Sequence, residues 1–450
     1  EVVDWVEARR QSTVFDDSHL QVMFDQCKAL IIGLQKRGAV VGSSLNTAYL
    51  LERLSQTLER LETLMAIFVS NRYLPRRILL LTGCFARAAA ERHSISRLWK
   101  QSSGLMARSV TQNAGDHGEH YITRDKKEYW AMFYSAAGGG VLIALMALFK
   151  TYLGSIIDDK VWKGIAEGLN YGLGFMVIFM LHFTVATKQP AMTAARFAEA
   201  VEKTPQGKTV NMKLAQLLVD VFRSQSIAVL GNVLIAMGLA ALIAFGYEYK
   251  TGEPLMNADQ IAYQLHSIDP FAGTLWFAAI AGVWLFCSGI ISGYFDNRSN
   301  YLNMRMRLAQ HPLLKKLMSE KTRVKFANYM HENYGSLIGN LCFGMLLGIT
   351  GVVGYLTHLP LDIRHVAFSS ANVGYIAVSG HFTYSLLLQC IGFVLLIGLV
   401  NLIVSFSLTL WVALRSLNAE IDSWWPIWHE VCQIVKKRPL SLFLPVQLDK

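Results

Sequence analysis

The pattern of apolar and polar positions divides the chain near residue 128. Beyond it, six stretches run without a charged residue: Tyr129 to Phe149, Gly168 to Thr187, Ser224 to Tyr247, Pro270 to Phe295, Asn333 to Leu356 and Tyr384 to Leu414. A helix needs about 20 apolar residues to cross a hydrocarbon layer, so each stretch is an expected membrane span. Charge closes them at Lys150, Lys188, Glu248 with Lys250, Asp296 with Arg298, and Arg415. Glycines recur inside them, among them Gly138, Gly139, Gly140, Gly168, Gly172, Gly344 and Gly348, and small residues let membrane helices approach closely. Val366 to Gly380 is apolar but too short to cross and is broken by Gly374 and Gly380, so it is expected to be extracytoplasmic or re-entrant.

Residues 1 to 128 are charged and carry a helical period instead. Leu51, Leu54, Leu58, Leu61, Met65 and Phe68 recur at alternating steps of three and four, the seam of a helix packed on another helix. Segments 17 to 36 and 76 to 108 read as its partners. The expected organisation is all-α: a cytoplasmic helical bundle over 1–108, a polar linker over 109–128, a six-helix membrane domain over 129–415, and an interfacial tail over 416–450. Trp424, Trp425 and Trp428 beside His429 look like an aromatic anchor in that tail, since Trp prefers the membrane interface.

Composition agrees with this division. Of 450 residues, 53% are hydrophobic and only 16% charged, against about 25% charged in soluble domains. Disorder, a collagen-like chain and a small disulfide scaffold are excluded. Cys27, Cys84, Cys287, Cys342, Cys390 and Cys432 are widely spaced and include no CxxC pair, so no metal or other cofactor is expected. The chain opens at Glu1 and reads as part of a longer one.

The placement of charge sets the expected orientation. Lys and Arg concentrate in the loop 188–223 (Lys188, Arg196, Lys203, Lys208, Lys213, Arg223) and in 296–332, from Arg298 and Arg305 to Arg323 and Lys325. The other connections are poor in them, so these loops and both termini are expected on the cytoplasmic side of an inner membrane. Leu214, Leu217, Leu218, Val221 and Phe222 in the first basic loop have amphipathic helical spacing, as do Met304, Leu308, Leu313, Leu314 and Leu317 in the second. Such surfaces are expected to meet anionic lipid headgroups, at about 1 kcal/mol per basic residue near the surface.

Polar residues that could bind something gather where the second and fourth spans reach that side. One passage contains His182, Thr184, Lys188 and Gln189, and the other Asp296, Asn297 and Arg298. On a continuous helix His182 and Ala186 share a face, and an ionisable residue in a membrane segment is by default a functional candidate. Leu230-Gly231-Asn232 and Ile338-Gly339-Asn340 stand at equivalent depth in the third and fifth spans, which suggests a diverged repeat with Asn232 and Asn340 lining a shared site. P-loop, GxGxxG, GxSxG and HExxH patterns are absent.

At HFTVATKQPAMTAA (182–195), SGYFDNRSNY (292–301) and GSLIGNLCFGMLLG (335–348) the sequence resembles a bacterial membrane family catalogued as site-specific recombinases, of the gonococcal type. The likeness extends over the whole chain and implies a bacterial origin and a part in DNA recombination. The residues argue against a direct part: no His is followed by Arg in a His-x-x-Arg element, and no Tyr-x-Arg-x-Ser strand is present. Direct DNA binding is therefore not expected. The preferred expectation is a transporter-like protein that interacts with a lipid or solute. A scaffold that binds a protein partner, or a second copy, through its N-terminal helices is one alternative, and a DNA recombination factor, as the family label implies, is the other.

Overall fold

The structure, a computed structural model, describes residues 2–11, 18–41, 45–69, 74–91, 123, 125–185, 201, 208–416 and 423–445. Among them 88% are helical and none is in a strand. Four helices precede the apolar part: α1 (Val2–Arg10), α2 (Ser18–Val41), α3 (Leu45–Val69) and α4 (Leu74–Glu91). Along the expected seam Leu51, Leu58, Leu61 and Met65 are half-buried and Leu54 is exposed. Lys28 of α2 donates to Glu62 of α3 at 2.6 Å, and this bond holds its ammonium above the ordinary lysine range. Residues 92–108 and most of the expected linker lie outside the described residues; its end does not, since Asp125 caps α5 and Lys126 begins that helix.

Among the described residues, five helices are long and apolar enough to cross a membrane: α5 (Lys126–Ile156), α7 (Lys208–Thr251, apolar from Met212), α9 (Thr274–Tyr301), α12 (Glu320–Thr357) and α14 (Tyr384–Ser416, apolar to Arg415). Six were expected. The remaining expected stretch corresponds to α6 (Lys160–Met180), a shorter helix whose first half carries Lys160, Lys163 and Glu167. It stops seven residues before the expected end at Thr187. His182 has φ 58°, in the left-handed region, and Phe183 turns back against Gly138 of α5. His182 is therefore not on a helix face, which corrects the helical reading over 182–185; Ala186 lies outside the described residues.

Glycines determine how the helices meet. A Cβ on Gly344 or Gly348 of α12 would run into the backbone at Gly172 or Gly168 of α6, so these two helices touch main chain to main chain. Gly140 and Gly231 bring α5 and α7 together in the same way, and Gly282 admits Val404 of α14 against α9.

The short apolar segment is the most enclosed element of the bundle. It forms α13 (Val366–Ser379), with eleven of its fourteen residues buried. Its neighbours are α7, α14 and α5. A short helix α8 (Ala258–Ile268) and a 3-10 turn (Pro270–Ala272) fill the space between α7 and α9. At the other end, α10 (Met304–Gln310) and α11 (Pro312–Leu317) form the second basic connection.

The amphipathic stretch of the first basic connection continues directly into α7. Its apolar face packs against the tail helix α15 (Trp425–Lys437): Leu214, Ala215 and Val219 join Leu410, Ala413, Ile427 and Val431 in one buried cluster. Trp425 and Trp428 remain exposed on the far side of α15.

Candidate functional site

The residues singled out from the sequence fall into two groups. In the first, the Ser135 hydroxyl of α5 donates to the His182 carbonyl at 3.0 Å and shares a hydrogen bond with the Thr184 hydroxyl at 2.9 Å. Asn232 of α7 donates to the Ala136 carbonyl at 2.5 Å and to the Thr184 carbonyl at 2.9 Å. Asn232 is buried, whereas His182 is exposed. Backbone leaving α6 is thus pinned between α5 and α7 by one buried amide. Lys188 and Gln189 lie outside the described residues.

In the second group, Asp296 of α9 accepts from the backbone N–H of Gly335 on α12 at 2.9 Å. Gly335 and Gly339 bring Ser292, Ser288 and Asp296 close enough that a Cβ at either glycine would collide with them. The Ser299 hydroxyl bonds His331 Nδ1 at 3.0 Å. Arg298 is exposed beside Tyr294, Asn297 is half-buried, and Asn340 is buried and donates to the Ser336 carbonyl on its own helix.

The two groups do not merge. The first joins α5, α6 and α7; the second joins α9 and α12. The suggested repeat fails at the same point, because Gly231 faces α5 across Phe133 and Ala136 while Gly339 faces α9. The two Gly-Asn pairs therefore have different neighbours.

A third polar system, which the sequence reading left out, surrounds the start of α13. Residues 359–365 run without helix from the end of α12 into the bundle, and α13 begins there. Asn401, fully buried midway along α14, holds this turn. Its amide donates to the Ala278 carbonyl of α9 at 2.7 Å and to the Arg364 carbonyl at 3.0 Å, and its carbonyl oxygen accepts from the Val366 N–H at 3.2 Å. The N–H group accepted at Val366 is one of those a helix start leaves without an intrahelical partner. Arg364 reaches Asp362 at 2.6 Å and the Ser267 carbonyl at 2.8 Å.

His365, also buried, sits among aromatic rings: Phe343 at 5.8 Å, Phe368 at 5.9 Å and Phe175 at 6.2 Å between centroids. Along α13, Asn372 donates to Gln264 of α8 at 3.0 Å and the Tyr375 hydroxyl donates to the Ala144 carbonyl of α5 at 2.9 Å. Close by, Lys150 of α5 pairs with Glu167 of α6 at 3.4 Å and lies 5.7 Å from the centre of the Tyr171 ring. The signal that could have found this system was the polar residue interrupting the most apolar stretch of the chain, Asn401.

Among the described residues, no group of three or more His, Cys, Asp or Glu side chains is arranged to hold a metal ion. No curated protein and no solved structure matches the chain. A family model does, over residues 1–445, and its description is site-specific recombinase. By that match, which covers almost the entire length, the chain belongs to the site-specific recombinase family.

Proposed function

We propose that this chain is a multi-pass protein of a bacterial inner membrane, with both termini cytoplasmic, that handles a lipid or a small solute in a transporter-like manner. The observation that carries the reading is the half-length helix α13, which starts inside the bundle with its first turn buried. Discontinuous helices of this kind present backbone N–H groups at membrane depth and commonly line substrate sites in transporters. Soluble recombination chemistry needs no such element.

The two polar groups at the basic end complete the proposal. His182, Thr184 and Asn232 form one contact region; Asp296, Asn297, Arg298 and Asn340 form the other. The basic connections beside them, including Arg305, Arg307, Lys315 and Lys316, meet anionic headgroups. A second reading draws on a different observation. Leu30, Ile32, Leu50 and Leu79 are exposed on α2, α3 and α4, a surface suited to a protein partner or a second copy.

The test is accessibility of the α13 start. In a cysteine-free background reconstituted in vesicles, Ser370→Cys is exposed to a membrane-impermeant maleimide, with Tyr384→Cys as the exposed control and Ala144→Cys as the enclosed one. Labelling of Ser370→Cys above the Ala144→Cys background supports an aqueous route to the half-helix. Labelling at background on both sides of the vesicle overturns it.

A further inference from the structure

A cavity of about 310 Å³ opens where the end of α7 meets the end of α13. Phe245 and Tyr249 of α7, Phe382 beyond α13 and Ala377 on α13 form its apolar lining, and Glu248 and His381 are its polar groups. None of these residues belongs to the systems described above.

Three features give this space one electrostatic sign. Glu248 is only 26% exposed at its side chain, so its carboxylate is partly withdrawn from water and favours a nearby cation. The C-terminal turn of α13 ends at the cavity, and a helix C-terminus carries partial negative charge. Phe245 and Tyr249 lie nearly parallel, at 22° with 6.4 Å between centroids, and aromatic faces attract alkylammonium groups. His381, at 3.5 Å from Glu248, is 78% exposed and turns toward solvent on a left-handed backbone, φ 46°. Its Nε2 faces Glu248, and the exposed edge of the ring at the rim is where a second, anionic group can approach.

We infer that this cavity binds the ammonium headgroup of a phospholipid, with Glu248 as counter-ion, the aromatic side chains around the alkylammonium, and His381 beside the phosphate. The volume suits a headgroup with its first methylenes and far exceeds a bare metal ion. The apolar lining likewise suits an amphiphile. The inference rests on the chain being a membrane protein but not on solute handling at the start of α13, so each can fail without the other.

The full chain is placed in nanodiscs of mixed phosphatidylethanolamine and phosphatidylglycerol. Lipids retained on release are counted by native mass spectrometry. Phosphatidylethanolamine is expected to be retained over phosphatidylglycerol by about tenfold, the factor for about 1.4 kcal/mol. Glu248→Gln should bring the two to parity, and Ala377→Trp, which fills the cavity from the other helix, should do the same. Dodecyltrimethylammonium should displace the retained lipid, while choline at equal concentration should not. Equal retention of both lipids by the wild-type chain, or unchanged preference in both variants with wild-type thermal transitions, overturns the proposal. Displacement by choline as effective as by the amphiphile assigns the site to a free amine and overturns the lipid assignment.

Discussion

The Asn401 amide lies 2.7 Å from the carbonyl oxygen of Ala278, and this one bond couples the middle of α14 to the opening turns of α9. The same side chain holds the Arg364 carbonyl and the Val366 N–H, so three segments depend on a residue with no exposed surface. Within an apolar bundle, backbone groups released from such a partner have nowhere else to bond.

Asn401→Leu should therefore destabilise the protein by roughly 3 kcal/mol, since each buried polar group left without a partner costs about 1–3 kcal/mol. Thermal unfolding in detergent would measure it. A variant within about 0.5 kcal/mol of wild type, well below that cost, would show that these bonds contribute nothing net.

A glycine inside the α6–α12 contact and one away from any contact make predictions of opposite sign. Gly348→Leu places a side chain against the Gly168 backbone and should cost about 1–3 kcal/mol or more as the helices separate. Gly238 on α7 has open space where a Cβ would go, so Gly238→Ala should be neutral or stabilise by up to about 1 kcal/mol. Unfolding midpoints of the pair, measured side by side, decide it; equal losses would remove the packing explanation.

Lys150 and Glu167 are expected to be coupled. Glu167→Gln alone leaves the ammonium beside Tyr171 without its carboxylate, and Lys150→Met alone leaves Glu167, 14% exposed, without its cation. Each single change should cost more than the double change relative to additivity, by roughly 1 kcal/mol, as for partly buried pairs. A double-mutant cycle on unfolding free energy that closes at zero coupling would rule this out.

Detaching the tail helix should be local. Ile427→Asp puts a carboxylate into the cluster with Leu214, Val219 and Leu410, and should release α15 from α7 without unfolding the bundle. Trypsin would then cut after Lys436 or Lys437 several-fold faster, a ratio that follows the open population. Unchanged cleavage would mean that α15 is not held by this face.

The sequence by itself determined the class of the protein, because the bilayer criterion is one-dimensional: length and absence of charge suffice to mark α5, α7, α9, α12 and α14. It also marked Val366 to Gly380 as something other than a full span, for the same reason. The extent of α6 was less legible. Its apolar run continues through Thr187 in the sequence, but the helix ends at Met180, where Ser135 and Asn232 on other helices take up the backbone beyond it. Partners for polar groups are a property of three dimensions. The same holds for the site: His182 and Asp296 look equivalent along the chain, yet the glycine contacts send α7 to α5 and α12 to both α6 and α9, which gives the two groups different partners. Only the tertiary structure could place Asn401 at the start of α13, since three elements remote in sequence must converge before one buried amide can satisfy them all.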